Sequence, residues 1–244
     1  MYSDADAAAL YDRLNPWGPS DDFYLSYVMG AASVLDVGCG TGGLLHRARD
    51  AGHGGRLCGL DPDAASLDRA RRRSDIAVEW VEGRAQDARW EREFALAVMA
   101  GNAFQVFVTD EELRASLAAI RASLVDGGRF VFGTRNPQAR AWEQWHASNP
   151  FDVVDHAGRE LRLTHHVESV VGDVVTFTET TAARSGEALR VDRASLRFLD
   201  VAGLDAFLGA AGFEVETYYG DWSKEPLTPA SANIVVVARA CACA

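Results

Sequence analysis

The sequence feature that most constrains the fold is a glycine-rich turn behind a short apolar strand. Residues 33–43 read SVLDVGCGTGG, with four glycines in the last six positions. The branched apolar residues favour a buried strand, and glycine permits positive φ and close approach of a ligand to the backbone. A helix that begins after the turn presents unpaired N–H groups, which suit an electron-rich ligand group. The stretch therefore predicts a ligand-binding strand–turn–helix unit.

Spacing alone leaves two cofactors open for this unit. Gly38, Gly40 and Gly43 satisfy the dinucleotide pattern G-x-G-x-x-G, and Asp61 follows at roughly the distance where an acid grips ribose hydroxyls. Nicotinamide dinucleotides and S-adenosylmethionine both contain adenosine, so Asp61 does not separate them. Asp36 favours the second, because a carboxylate repels a pyrophosphate but tolerates an ammonium or sulfonium group. The alternative for Asp36 is that it ties down the loop through backbone N–H groups.

The segment VLDVGCGTG at residues 34–42 resembles motif I of the class I S-adenosylmethionine-dependent methyltransferases. The family has a further signature after its later motifs, a helix followed by a Gly-Gly turn and a strand. This chain resembles it in a predicted helix at 110–124, the Asp-Gly-Gly turn at 126–128 and a strand at 129–133. No dinucleotide dehydrogenase pattern requires that signature. The resemblance implies a Rossmann-like doubly wound α/β sheet, mostly parallel, with one reversed strand at its C-terminal end.

The resemblance also implies a set of cofactor contacts. The Tyr-Asp pair near the N-terminus is expected at the methionine end, and the Asp-Pro pair after the second strand at the ribose and adenine. The loop EGRAQD is expected at the adenine edge, although Arg84 departs from the usual small or acidic residue, and the loop after the fourth strand is expected near the methyl group. The predicted cofactor-binding residues are Tyr11, Asp36, Gly38, Cys39, Gly40, Asp61, Pro62, Ala85, Gln86, Asp87, Ala100, Gly101 and Phe104.

For the methyl acceptor, the sequence indicates candidates rather than a motif. The loop at 100–104 lacks the Asn/Asp-Pro-Pro-aromatic element of relatives that methylate base amines, which argues against that chemistry. Three histidines, His146, His165 and His166, are candidate general bases for a protonated acceptor, each with surface exposure as its alternative. The predicted substrate-binding residues are Trp17, Tyr24, Asn102, Arg135, Trp145 and His146.

The chain is expected to divide into three parts. Residues 1–32 read as two helices forming a lid, and residues 33–134 with 199–240 as the cofactor-binding domain. Residues 135–198 change to a period of two, which predicts antiparallel strands. We expect this insertion to cap the acceptor pocket; a flap that forms a homodimer without touching substrate is the alternative.

The composition limits the classes of partner that the protein is expected to bind. The 244 residues carry 24 basic and 35 acidic side chains, a formal charge of −11, which disfavours nucleic acid and anionic membranes. No secretory leader or membrane-length apolar stretch is evident, so a cytoplasmic location is expected. Cys39 and Cys58 read as buried thiols, and Cys241 with Cys243 lacks a second pair for zinc, so no metal is expected.

Taken together, the sequence predicts an enzyme that transfers a methyl group from S-adenosylmethionine to a nitrogen or oxygen atom of a small molecule by in-line displacement. Two alternatives stay open: a nicotinamide-dependent oxidoreductase, and a non-catalytic cofactor-binding domain of the same fold.

Overall fold

The computed structural model describes residues 2–73 and 77–242, which form two β-sheets and six α-helices. The first half of the described chain contains α1 (Asp4–Leu14), α2 (Pro19–Met29), β1 (Ser33–Val37), α3 (Gly43–Asp50), β2 (Arg56–Asp61), α4 (Ala64–Arg73), β3 (Glu79–Glu82), β4 (Phe94–Met99) and α5 (Asp110–Ser123). The second half contains β5 (Leu124–Arg135), β6 (Phe151–Val154), β7 (Glu160–Val171), β8 (Val174–Ala183), β9 (Ala188–Arg197), α6 (Val201–Ala210), β10 (Phe213–Tyr219) and β11 (Asn233–Ala240).

The larger sheet has the strand order β10-β11-β5-β4-β1-β2-β3. The five neighbouring strands β5, β4, β1, β2 and β3 run parallel to one another. Strand β11 runs antiparallel to both of its neighbours, β5 and β10. The predicted doubly wound sheet with one reversed C-terminal strand is therefore confirmed. The carboxyl ends of β1, β2, β4 and β5 meet along one edge, which is where ligands bind in open α/β sheets.

Helices cover both faces of this sheet because its central strands are apolar on both sides. Along β1, Leu35 and Val37 pack toward α5 and α6, while Val34 packs with residues of α2 and α3. Val98 of β4 is fully buried within the second group. A strand buried on both faces holds its register firmly, so the turn that follows β1 has a fixed position.

The smaller sheet is the antiparallel segment expected from the period-two pattern, with the order β6-β7-β8-β9. Leu161 and Leu163 of β7 bury their side chains against Tyr2 and Leu10 near and within α1. The other end of the sheet is tied to the body by Arg197, whose guanidinium lies 2.8 Å from Asp110 and 2.7 Å from Asp173.

Helix α2 begins at Pro19 with Gly18 as its N-cap, and the Asp21 carboxylate accepts the Gly18 N–H at 2.8 Å. The segment before β6 forms two short 3₁₀ turns, at Pro137–Ala139 and Ala141–Gln144.

The Asp-Gly-Gly segment at 126–128 is part of β5, where a register irregularity against β4 accommodates Gly127 at a φ of 77°.

Two histidines on and after α3, His46 and His53, are buried. His46 Nε2 lies 2.9 Å from the Ala70 carbonyl oxygen, and His53 Nε2 lies 2.8 Å from that of Ala31. These carbonyls lie 24 and 22 residues away in sequence, so the pairing arises only in the folded chain. Among the described helices, none is both long and apolar enough to cross a membrane.

Candidate functional site

The glycine turn after β1 is pinned to the end of β2. The backbone N–H groups of Gly38 and Cys39 donate to the Leu60 carbonyl at 2.7 and 3.2 Å. The Gly40 N–H donates to Oδ2 of Asp61 at 2.7 Å. Gly38 and Gly40 adopt φ values of 75° and 53°, which explains the need for glycine at both positions. The turn is thus rigid and leaves its outer surface open.

Two cavities adjoin this turn, and Gly38 lines both of them. One, of about 410 Å³, lies over the end of β2, and the other, of about 440 Å³, lies between the turn and the N-terminal helices. The first is lined by the predicted residues Asp61, Pro62, Ala85 and Gln86. The second is lined by the predicted residues Tyr11, Trp17, Asp36, Cys39, Gly40, Ala100 and Gly101. An elongated molecule with two dissimilar halves fits this arrangement.

Asp36 gives the second cavity an acidic floor. Its side chain is 2% exposed, and its Oδ1 has no hydrogen-bond partner in the described chain. Burial, with a smaller contribution from the nearby Asp61 carboxylate, raises the pKa of Asp36 to about 7. The alternative role expected from sequence, tying down the loop through N–H groups, is not seen for Oδ1. A buried acid in this state favours a cationic group as its neighbour.

Space for that neighbour exists above Gly40. A side-chain methyl added to Gly40 would meet no atom within 4 Å, although the residue lies in the wall of the cavity. By contrast, a methyl on Gly38 would lie 2.9 Å from the Ala103 side chain. The site thus offers a carboxylate oxygen without a partner in the described chain beside open backbone, and the Asp61 carboxylate in the adjoining cavity.

Tyr11 closes the second cavity from the side of α1. Its ring is about half exposed, but its hydroxyl lies where a side chain on Gly101 would contact it at 3.0 Å. Burial of the hydroxyl and the nearby carboxylates, Asp21 foremost, raise the pKa of Tyr11, so the phenol stays protonated. Trp17 is held at the rim by its indole N–H, which donates to Asp22 at 2.7 Å.

Seven predicted site residues line neither cavity, and three of them lie away from the acceptor side. Phe104 is buried in the core, with its ring stacked on Phe132 at a centroid distance of 4.1 Å. Tyr24 is fully buried beneath Trp222, and Asp87 is exposed at the end of its 3₁₀ turn. The sequence placed each on the correct loop or helix, but which face of that element turns inward depends on packing.

Of the remaining predicted acceptor residues, Arg135 and Trp145 lie together beside the antiparallel sheet. Arg135, at the end of β5, places its guanidinium carbon 5.4 Å from the ring centre of Trp145. Asn102, in the loop after β4, buries its side-chain oxygen, which has no hydrogen-bond partner among the described residues. His146 is exposed and lies 2.9 Å from the Ser148 hydroxyl, away from this group.

The candidate bases differ in their surroundings. His165 on β7 places Nε2 at 2.8 Å from Oε2 of Glu179 on β8, and its ring centre is 6.3 Å from that of Trp145. His166 points to the exposed face of the same sheet. Only His165 thus combines a carboxylate partner with a position facing the body of the protein.

Sequence reasoning missed several residues of the site. Val106 is 54% exposed at the rim of the first cavity, and Phe107 and Glu112 also line it. Thr41 lines the second cavity and donates its hydroxyl to Asp12 at 2.5 Å. The apolar Val106 directly after the loop at 100–104 was a usable signal, because an exposed branched residue near a strand end suits a flat apolar group. Cys243 lies outside the described residues.

Comparison with known proteins decides between the two cofactors. Residues 34–128 match the methyltransferase domain family. These residues form a class I S-adenosylmethionine-dependent methyltransferase domain. The matched residues include the glycine turn, Asp61 and the whole lining of the first cavity, and the nicotinamide alternative is thereby set aside.

Individual relatives extend the match beyond that domain. The chain is 28% identical to the cypemycin N-terminal methyltransferase of Streptomyces sp over 84% of this chain and 82% of that protein. It is 34% identical to the 2-phytyl-1,4-naphtoquinone methyltransferase of Thermosynechococcus vestitus over 57% of this chain, and the match spans 65% of that protein. The S-adenosylmethionine-bound amino pentose methyltransferase of Micromonospora echinaspora shares the fold, with a TM-score of 0.71, 22% identity and 98% of both chains covered.

Proposed function

We propose that this protein transfers a methyl group from S-adenosylmethionine to a nitrogen or oxygen atom of a small molecule. The observation that carries the proposal is the buried carboxylate oxygen of Asp36, which lines the second cavity and has no hydrogen-bond partner among the described residues. If the crevice bound no ligand, an apolar residue in place of this acid would make the fold more stable. Retaining it is consistent with a cationic ligand.

The chain's residues fit the two halves of the cofactor. Asp61 has a carboxylate at the first cavity, and Pro62, Ala85 and Gln86 offer a flat, mostly apolar wall for adenine. Asp36 and the backbone at Gly40 would hold the methionine end. When bound, the cofactor supplies an electrophilic methyl group on a sulfonium. The contribution of the protein is then to hold the acceptor atom in line at attack distance and to keep water away.

Proton handling is assigned to His165. With Nε2 bonded to Glu179, the other ring nitrogen is free to accept a proton from an ammonium or hydroxyl acceptor. A carboxylate partner stabilises the imidazolium that forms. His146 and His166 lack such a partner among the described residues and are exposed. Replacing His165 with Gln should therefore lower kcat while leaving cofactor affinity unchanged.

An amine is the acceptor that we favour. The relative that spans 84% of the chain is named as an N-terminal methyltransferase, and the bound structure that spans 98% of it as an amino pentose methyltransferase. Both matches are long enough to include the antiparallel sheet of residues 151–197. The match to the quinone methyltransferase covers only 57% of this chain. We propose that this sheet and the 3₁₀ turns before it cap the acceptor pocket, and that α1 and α2 form a lid over the cofactor.

Calorimetry tests the cofactor assignment. S-adenosylmethionine should bind at micromolar strength, Asp61→Ala should abolish binding, and NADH should show no fluorescence transfer from the protein. Acceptors are then screened by the mass increase of one methyl group, beginning with amines. A protein that binds the cofactor but methylates no amine or hydroxyl compound would instead be a non-catalytic binding domain.

A further inference from the structure

Arg135 is held at the acceptor side of the sheet by a buried amide. It is the last residue of β5, and its Nη1 donates to Oε1 of Gln105 at 2.9 Å. Gln105 is fully buried just beyond the end of the neighbouring strand β4, and its Nε2 donates to the Arg197 carbonyl at 3.0 Å. The amide thus has its orientation fixed from the antiparallel sheet. One edge of the Arg135 guanidinium is therefore held in place.

The flat face of the same guanidinium rests on the insertion. Its carbon lies 5.4 Å from the centre of the Trp145 ring, and Trp145 packs on Phe177 of β8 at a centroid distance of 4.8 Å. Stacking on an aromatic face and a side-chain hydrogen bond orient a guanidinium without neutralising it. Arg135 is thus positioned by both the main sheet and the antiparallel sheet.

The charge of Arg135 is left unpaired. In the described ranges 2–73 and 77–242, no carboxylate lies within ion-pair distance of it. Arg197 shows the contrast, because it contacts both Asp110 and Asp173. Partial burial lowers the pKa of Arg135. In a chain of 35 acidic residues, a partly buried cation without a carboxylate partner is costly unless something else neutralises it.

The remaining nitrogens of Arg135 are available. Nε and Nη2 make no hydrogen bond with the described residues, and neither belongs to the enclosed polar atoms without partners. Both therefore face accessible space beyond the carboxyl ends of β4 and β5. The cofactor cavities lie over β1 and β2, on the other side of β4. An edge with two parallel N–H donors matches a carboxylate or a phosphate.

We propose that Arg135 binds an anionic group, a carboxylate or a phosphate, on the methyl acceptor. This inference rests on the proposed function and narrows it to acceptors that carry a negative charge away from the methylated atom. Trp145 and Gln105 position the guanidinium. The acceptor is thus oriented by its charge, with its reactive atom directed toward the cofactor.

The test uses the full chain saturated with S-adenosylhomocysteine at low ionic strength. Inorganic pyrophosphate and benzoate are titrated by calorimetry into the wild type, Arg135→Gln, Arg135→Lys and the control Arg129→Gln. Arg129 lies on the same strand but is exposed and paired with Glu216 at 2.7 Å. Thermal unfolding confirms that each variant is folded.

We expect the wild type and Arg129→Gln to bind one probe alike, Arg135→Gln to bind it at least tenfold more weakly, and Arg135→Lys to lie between them. Preference for pyrophosphate indicates a phosphate-bearing acceptor, and preference for benzoate a carboxylate. Absence of binding, or equal binding by Arg135→Gln, overturns the proposal. So does loss of S-adenosylhomocysteine affinity in Arg135→Gln alone, which would assign the guanidinium to the cofactor. Failure of the wild type to bind S-adenosylhomocysteine instead overturns the proposed function.

Discussion

Thr41 donates its hydroxyl to Oδ1 of Asp12 across 2.5 Å, which joins the N-terminal helix α1 to the glycine turn. The other carboxylate oxygen of Asp12 accepts from Nε of Arg69 on α4 at 2.7 Å. Asp12 directly follows Tyr11, whose hydroxyl borders the second cavity. The position of the proposed lid over the cofactor site thus depends on one carboxylate that bridges two other elements.

Asp12→Ala should therefore weaken cofactor binding more than it weakens the fold. Without the carboxylate, α1 keeps its apolar contacts with β7 but loses its link to Thr41. We expect S-adenosylhomocysteine affinity to fall about tenfold, or about 1.4 kcal/mol, measured by calorimetry. The control is Arg69→Ala, which removes only a partly exposed ion pair worth at most about 1 kcal/mol. Equal losses in both variants would contradict the assignment of the effect to Thr41.

Asp61 supports the turn with both of its oxygens, and this predicts a different effect for its amide variant. Oδ2 accepts the Gly40 N–H at 2.7 Å and Oδ1 accepts the Asp63 N–H at 2.8 Å. Asp61→Asn would place an NH₂ group against one of these donors. We expect at least a tenfold loss of S-adenosylhomocysteine affinity and about 1–3 kcal/mol of destabilisation.

The matched control is Asp63→Asn, two residues further on. Asp63 caps α4 by accepting the N–H groups of Ala65 and Ser66 at 3.1 and 3.2 Å, and it lines neither cavity. Its amide variant should cost about 1 kcal/mol of stability or less, because Asn also caps helices well. Cofactor affinity should be unchanged. If Asp63→Asn weakened binding as much as Asp61→Asn, the direct role of Asp61 would be lost.

Two glycines of the turn, Gly40 and Gly42, should differ in how an alanine substitution affects stability and cofactor binding. Gly42 has a φ of 73°, and a methyl group there would lie 2.3 Å from the Trp80 ring. Gly42→Ala should thus combine backbone strain with overpacking and destabilise the protein by about 2–5 kcal/mol. Gly40→Ala meets no atom within 4 Å and should cost only the strain of its φ of 53°, about 1–2 kcal/mol.

Cofactor binding should rank these two variants in the opposite order. The added methyl of Gly40→Ala projects into the second cavity, so it should reduce S-adenosylhomocysteine affinity by tenfold or more. Gly42→Ala, studied below its unfolding midpoint, should bind with nearly wild-type affinity because the new methyl points toward the core. Denaturant unfolding and calorimetry on the same samples provide both values. A Gly40→Ala protein with normal affinity would show that the cofactor does not pass over this residue.

Site residues could be placed from the sequence where the pattern that positions them is contiguous, and not where distant residues position them. The turn, Asp36 and Asp61 were predictable because strand, glycine spacing and acid are contiguous in sequence, and a strand buried on both faces fixes the position of the turn. Phe104 was assigned to the site but stacks on Phe132, since the inward face of a short 3₁₀ turn is decided by distant packing. Local pattern carries no record of such a partner.

The sequence could not show which side chains lack a partner in the fold, or which are paired with residues far away in the chain. Arg135 could be named as a candidate, but its lack of a carboxylate neighbour is visible only once every strand is in place. The burial of His46 likewise depends on a carbonyl of α4 that lies 24 residues away. The antiparallel pairing of β7 and β8 was predictable from period two, whereas the pairing of His165 with Glu179 required the register of that hairpin.

Asp36 makes the stability of the free protein depend on pH in an unusual direction. Its pKa is raised from an ordinary value of 3.8 to about 7, so the folded state binds a proton that the unfolded state releases. Stability from this group is fully present below about pH 4 and is lost as the pH rises through about 7. Asp36→Asn removes that loss. Relative to wild type, the variant should gain stability between about pH 4 and 8, by at most about 4 kcal/mol.

Urea unfolding of both proteins at several pH values measures this difference, and the change with pH is the informative quantity because an asparagine adds its own constant cost. Binding adds a second observable. A cationic group beside Asp36 lowers its pKa, so S-adenosylmethionine should release a proton near pH 6.5, seen as a dependence of the binding enthalpy on the ionisation enthalpy of the buffer. Asp36→Asn should abolish that release and weaken binding. A wild-type protein that releases no proton, or a variant that releases as many, would place the cationic end of the cofactor elsewhere.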